Sequence, residues 1–130
     1  MRILVVDDDM VSREKLGLIL SSVGQCETVD SGKNALVIFE EHLSLGKNFD
    51  IITLDVSMPE MDGTEVLFEM KVLEKDYHSQ NVSSAKILMV SCLSDRDTVM
   101  TCIQAGCDGY LIKPFNKQSI FKQLAKIGVY

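Results

Sequence analysis

Long apolar runs are missing from this chain. None approaches the roughly 20 residues that a membrane-spanning helix needs. The N-terminus runs Met1-Arg2-Ile3-Leu4-Val5-Val6 straight into three aspartates, which is no secretory signal. No membrane partner is therefore expected, and a cytoplasmic location is. Basic residues are scarce as well: 13 Lys and Arg stand against 19 Asp and Glu, a net charge of −6. Such a surface repels phosphate backbones, so direct nucleic-acid binding is not expected. The four cysteines, Cys26, Cys92, Cys102 and Cys107, contain no C-x-x-C pair, and neither His42 nor His78 stands at zinc-ligand spacing from one of them. With no export signal they read as reduced thiols used as small hydrophobes, with no redox or metal role expected. Low-complexity tracts are absent and 46% of residues are hydrophobic, which excludes disorder. Neither G-x-G-x-x-G nor a P-loop follows any apolar run, which excludes the common nucleotide-binding folds. At 130 residues the chain is expected to form one domain over 1–130, with no internal boundary or repeat.

What is present is a periodic alternation. Four short runs, Ile3 to Val6, Ile51 to Leu54, Ile87 to Val90 and Tyr110 to Ile112, are rich in Ile, Val and Leu without polar alternation, as in parallel strands covered on both faces. Cys26 to Val29 is a weaker fifth. Between them the period turns helical: Leu16, Ile19, Leu20 and Val23 ahead of Gly24; Leu36, Phe39 and Leu43 ahead of Gly46; Val66, Met70 and Leu73; Val99, Cys102 and Ile103 ahead of Gly106; Ile120, Phe121 and Leu124 after Asn116. Asp9 is the expected N-cap of the first helix, and Ser94 with Asp97 the capping box of the fourth. The polar stretch Asp76 to Ala85 reads as a surface loop, and His42 and His78 as solvated side chains. Strand then helix, five times over, predicts an α/β fold: a doubly wound, five-stranded parallel sheet with five helices, of the flavodoxin-like order 2-1-3-4-5.

In such a sheet ligands bind outside the carboxyl ends of the strands. Asp7, Asp8 and Asp9 follow the first strand, Asp55 the third, Ser91 the fourth, and Lys113-Pro114 the fifth. Strands one and three are neighbours in this order, roughly 5 Å apart, so Asp7, Asp8 and Asp55 converge. Carboxylates that close need a raised pKa or a cation among them, and an all-oxygen, water-accessible cluster suits Mg²⁺. Lys113 offers a point charge and Ser91 a hydroxyl to a phosphoryl group, which makes Asp55 a candidate nucleophile forming an aspartyl-phosphate. Any one of these residues alone would signify little; adjacent acids at a strand end are commonly a solvated loop or a helix cap.

The stretches Ile3 to Asp9, Asp55-Val56-Ser57-Met58-Pro59-Glu60-Met61-Asp62-Gly63, Ile87 to Ser91 and Gly109 to Phe115 resemble the receiver domain of two-component response regulators, similar to the chemotaxis response regulator. The resemblance implies that Asp55 is the phosphoacceptor, and that Asp8 binds Mg²⁺ directly, with Asp7 (directly or through water) and the Ser57 backbone carbonyl as further ligands. It also implies that Lys113 contacts phosphoryl oxygens and carboxylate, that Ser91 turns toward the phosphoryl group, and that Tyr110 is the aromatic switch. Met58, Pro59 and Gly63 shape the loop. The implied partners are a sensor histidine kinase or phosphotransfer protein and an unidentified downstream protein or effector domain. Cys92 stands where the family usually has Ala or Gly, and Ser57 and Leu93 stand at variable positions that tune phosphoryl loss. A phosphorylation-independent scaffold is the alternative, although the acidic pair, acceptor and lysine are all present. An aspartyl-phosphate-type phosphatase typically carries a second Asp two residues after its nucleophile, where this chain has Ser57. The expected role is a non-enzymatic phosphoacceptor. Met1 directly ahead of the first run reads as a native N-terminus, and the chain reads either as a stand-alone receiver or as one cut from something longer.

Overall fold

The computed structural model describes residues 1–77 and 82–130. The elements alternate strictly: β1 (Arg2–Val6), α1 (Met10–Leu20), β2 (Gln25–Val29), α2 (Gly32–Ser44), β3 (Ile51–Leu54), α3 (Gly63–Asp76), β4 (Lys86–Ser91), α4 (Arg96–Gln104), β5 (Gly109–Ile112) and α5 (Lys117–Lys126). All strand pairings are parallel, in the expected flavodoxin-like order β2-β1-β3-β4-β5.

The strands lack polar alternation because both sheet faces are covered. Leu4, Val6, Ile52, Leu54, Ile87 and Met89 point into one core, closed by Phe39 and Leu43 of α2, Val66, Leu67 and Met70 of α3, and Cys102 of α4. Ile3, Val5, Ile51, Leu88 and Val90 point the other way, against Leu16 and Leu20 of α1 and Ile120 and Leu124 of α5. Each such side chain contributes about 1.5–3 kcal/mol on leaving water.

Helix starts are set by short polar side chains. Asp9, Ser31, Asp62, Asp95 and Asn116 each accept from the backbone N–H three residues on. The fourth cap differs from expectation. Asp95, not Ser94, starts α4, with its carboxylate accepting from the Thr98 N–H at 3.0 Å and the Thr98 hydroxyl at 2.8 Å. A carboxylate there also answers the positive end of the helix, which a serine cannot do. The reciprocal capping box belongs instead to α5, between Asn116 and Ser119.

Three further expectations change. α1 ends at Leu20, and Val23 and Gly24 lie in a following turn, their N–H groups bonded to the Leu20 carbonyl. Ile103, assigned to the inner stripe of α4, is 51% exposed; the helix is one short, two-turn element and anchors itself through Cys102. His42 is half-buried and not simply solvated: its ring packs at a tilt against Phe49 with centroids 4.4 Å apart, Nδ1 lies 3.0 Å from the Ile38 carbonyl, and Nε2 lies 3.6 Å from Glu27.

The expected loop from Asp76 to Ala85 starts later than its composition indicates, because α3 runs to Asp76. Glu74 reaches back to accept from the Ala85 N–H at 2.8 Å and the Asn48 amide at 2.6 Å. Residues 78–81, His78 among them, lie outside the described residues.

Candidate functional site

Parallel pairing brings the carboxyl ends of β1 and β3 side by side, and each chain leaves its strand into a carboxylate. The Asp55 N–H donates to the Val6 carbonyl at 3.0 Å and the Asp7 N–H to Val29 at 3.2 Å, so both aspartates are held at the sheet edge by continuing main-chain bonds. Asp7 is fully buried, Asp55 is 5% exposed and Asp8 is open to solvent. Oxygen atoms of the three carboxylates lie within 4.8 Å of one another.

The opposite wall comes from β4 and β5. The Lys113 N–H donates to the Ser91 carbonyl at 2.8 Å, which aims the lysine back over the strand ends. Its ammonium lies 2.9 Å from Asp7 Oδ2 and 3.6 Å from Asp55 Oδ2, closer to Asp7 than to Asp55. Ser91 is buried, its hydroxyl accepting from the Leu93 N–H at 3.1 Å. The Tyr110 hydroxyl donates to the Leu93 carbonyl at 2.6 Å while its ring packs against the first core. Both residues therefore grip the same β4–α4 turn. Ser57 is exposed, and its N–H donates to Asp55 Oδ1 at 3.4 Å. Cys92 is also exposed, so its extra bulk does not intrude on Tyr110 from within the core.

The loop after β3 is drawn tightly back onto the site. The Gly63 N–H donates to the Val56 carbonyl at 2.8 Å. A Cβ on Gly63 would stand 2.1 Å from the Asp55 carbonyl oxygen, so only glycine fits. Met58 is buried beneath this loop, in keeping with a shaping role.

Two basic residues that sequence reasoning passed over also hold the site. The Arg13 guanidinium donates to the Asp7 carbonyl at 2.9 Å. The Lys15 ammonium donates to the Phe115 carbonyl at 2.5 Å and sits 4.7 Å above the Phe115 ring, fastening the loop that carries Lys113. The available signal was position: both lie within the first two turns of a helix that opens directly after the acidic run.

The electrostatics follow from this crowding. Burial, then the Asp7 and Asp8 charges, push the Asp55 carboxyl up to about 6 against the opposing pull of Lys113 and the Ser57 N–H. Burial alone would lower Lys113, but the Asp7 hydrogen bond and the Asp55 charge outweigh it and hold the ammonium above its usual value. Three carboxylates facing one ammonium leave uncompensated negative charge among hard oxygen donors, with Asp8 open to water. That donor set fits a divalent cation that keeps part of its hydration shell.

The chain matches the response regulator receiver domain model over residues 3–125. It belongs to that family. It is 30% identical over 126 residues to chemotaxis protein CheY of Treponema pallidum, covering 97% of this chain and 81% of that protein. It is 31% identical to chemotaxis protein CheY of Bacillus subtilis, covering 96% and 95%. Among solved structures, the receiver domain of the histidine kinase CKI1 from Arabidopsis thaliana, complexed with Mg²⁺ and BeF₃⁻, superposes with a TM-score of 0.81 at 34% identity, covering 95% of this chain and 89% of that one. The CheX–CheY–BeF₃–Mg²⁺ complex from Borrelia burgdorferi gives 0.83 at 26% identity, covering 100% and 90%. The fold and the family are those of a CheY-like receiver.

Proposed function

We propose that this receiver accepts a phosphoryl group on Asp55 from a sensor histidine kinase or a phosphotransfer protein, in a Mg²⁺-dependent reaction. The observation that carries the reading is the convergence of Asp7, Asp8 and Asp55 oxygens within 4.8 Å, with Lys113 2.9 Å from Asp7 and 3.6 Å from Asp55. Asp7, Asp8, Asp55 and the Ser57 backbone carbonyl would hold Mg²⁺, which when bound neutralises the attacking carboxylate and the incoming phosphoryl oxygens. An Asp55 oxygen attacks phosphorus as the bond to the donor's histidine nitrogen breaks. Lys113 leaves part of its interaction with Asp7 to meet the developing charge. The Ser91 hydroxyl turns to a phosphoryl oxygen and so releases the Leu93 N–H. Tyr110, tied to the Leu93 carbonyl at 2.6 Å, reads that rearrangement and passes it to the α4–β5–α5 surface, where Met100 is 41% exposed. The added charge biases a two-state equilibrium.

The chain in this reading is a phosphoacceptor that assists its own phosphorylation and dephosphorylation and turns over no other substrate. Its output is a contact with a downstream protein, for which the Borrelia complex with CheX offers a parallel. Leu93, 37% exposed and lining the same cleft as Ser57, cannot position an attacking water, which supports a long-lived phosphoform. A half-life shorter than a few seconds would remove that point.

Intact mass after incubation with acetyl phosphate and Mg²⁺ tests the proposal. One phosphoryl adduct that requires Mg²⁺ and disappears in Asp55→Ala supports it. No adduct and no Mg²⁺ binding would sink it, leaving a scaffold that works without phosphorylation.

A further inference from the structure

We propose that Cys102 and Cys107 form a disulfide across the C-terminal turn of α4, a thiol modification site closed by a peroxide-class oxidant. Along the sequence these are two cysteines at a spacing without redox meaning. Folding turns the interval into a Schellman motif. The Cys107 N–H donates to the Cys102 carbonyl at 3.1 Å and the Gly106 N–H to the Ile103 carbonyl at 3.0 Å, with Gly106 at φ +102° supplying the left-handed residue. In this motif the first and last residues of the turn face one another, and an apolar contact commonly joins them. Here both are cysteines, and both pack against the same core beneath α4. A main-chain hydrogen bond made directly between the two residues keeps their Cα atoms in the range of roughly 4.4–6.8 Å that a disulfide spans. The other free thiols are placed apart from this turn: Cys26 lies in the edge strand β2, and Cys92 is exposed after β4.

The reaction balances on one peroxide. Cys107, the half-buried partner, attacks an oxygen of hydrogen peroxide as its thiolate; the O–O bond breaks and the departing hydroxide takes up the proton the thiol released, leaving as water. The resulting sulfenic acid is attacked by the Cys102 sulfur, the S–O bond breaks, and hydroxide leaves with the Cys102 proton as a second water. Two electrons pass from the two sulfurs to the peroxide. Burial raises both thiols above their ordinary values, Cys102 to about 11, so closure is slow at neutral pH and quickens as pH rises.

The test is independent of phosphorylation. The reduced chain is treated with hydrogen peroxide without denaturant, its remaining thiols are alkylated, and the peptide holding both cysteines is weighed. The expected product has lost two hydrogens, carries no alkyl group at either position, reverts with dithiothreitol, and lowers the alkylatable cysteines from four to two. The double variant Cys26→Ser/Cys92→Ser should close equally well, and Cys107→Ser, at a half-buried position, should not close at all. Alkylatable Cys102 beside a sulfinic Cys107, or disulfides confined to Cys92 between chains, would overturn the proposal.

Discussion

Asp55 shows how one residue carries opposite demands. Its carboxyl stands at about 6 in the fold, against about 3.9 in an unfolded chain. The folded state therefore binds its proton more tightly, and this residue's contribution to stability is best below about pH 4. It weakens as pH rises through about 6, where folding must hold a charge among like charges. Asp55→Asn should stabilise the metal-free protein by up to about 3 kcal/mol at pH 7.5 and by little at pH 4, since the two values differ by about two pKa units and each is worth about 1.4 kcal/mol. Urea unfolding of both proteins at the two pH values checks this, their difference cancelling the other titrations. Two residues earlier, Thr53 is fully buried and its hydroxyl has no hydrogen-bond partner among the described residues. Thr53→Val keeps the shape and removes an unsatisfied group, so it should raise stability by about 1 kcal/mol, read as a shifted urea midpoint at constant slope.

Among elements, the tightest constraint is the approach of α3 to the end of β3. Gly63 begins that helix with its Cα against the Asp55 carbonyl. Gly63→Ala must push the helix start or the strand end outward, costing about 1–3 kcal/mol by overpacking and moving Asp55 relative to Asp7. The expected result is a lowered melting temperature together with weakened Mg²⁺ binding by titration calorimetry. A Gly63→Ala protein with unchanged Mg²⁺ affinity would show that the loop, and not the glycine, fixes Asp55. The elements themselves were largely legible in the sequence, because burial on both faces writes an uninterrupted apolar strand and one-sided burial writes a helical stripe. The misreadings fall where that record is thin. α4 buries one side chain fully, Cys102, so the stripe drawn through Val99 and Ile103 had little packing behind it.

At the scale of the whole molecule, the fold gathers charges from distant segments that would otherwise repel one another. Lys113 and Asp7 are 106 residues apart in sequence and 2.9 Å apart in space. A divalent cation that binds only this assembled cluster must stabilise the entire fold, by about 1.4 kcal/mol for each tenfold of Mg²⁺ above its dissociation constant. Melting temperature should thus climb with Mg²⁺, and Asp8→Ala, an exposed change, should flatten the climb without lowering the metal-free melting point. A Mg²⁺-independent melting temperature in the wild type would count against metal binding at these residues.

The sequence by itself determined the alternation of strands and helices, the burial of both sheet faces, and the acids, hydroxyl and lysine that end successive strands. These are local facts, written in residue type and period. Only the tertiary structure decided that Lys113 leans on Asp7 more closely than on Asp55, that Arg13 and Lys15 brace the site from α1, that His42 packs against Phe49 instead of standing fully in water, and that Cys102 meets Cys107 across a turn. Each depends on which elements lie side by side and how a turn closes. Strand order, packing and backbone dihedrals set those distances, and periodicity along the chain does not record them.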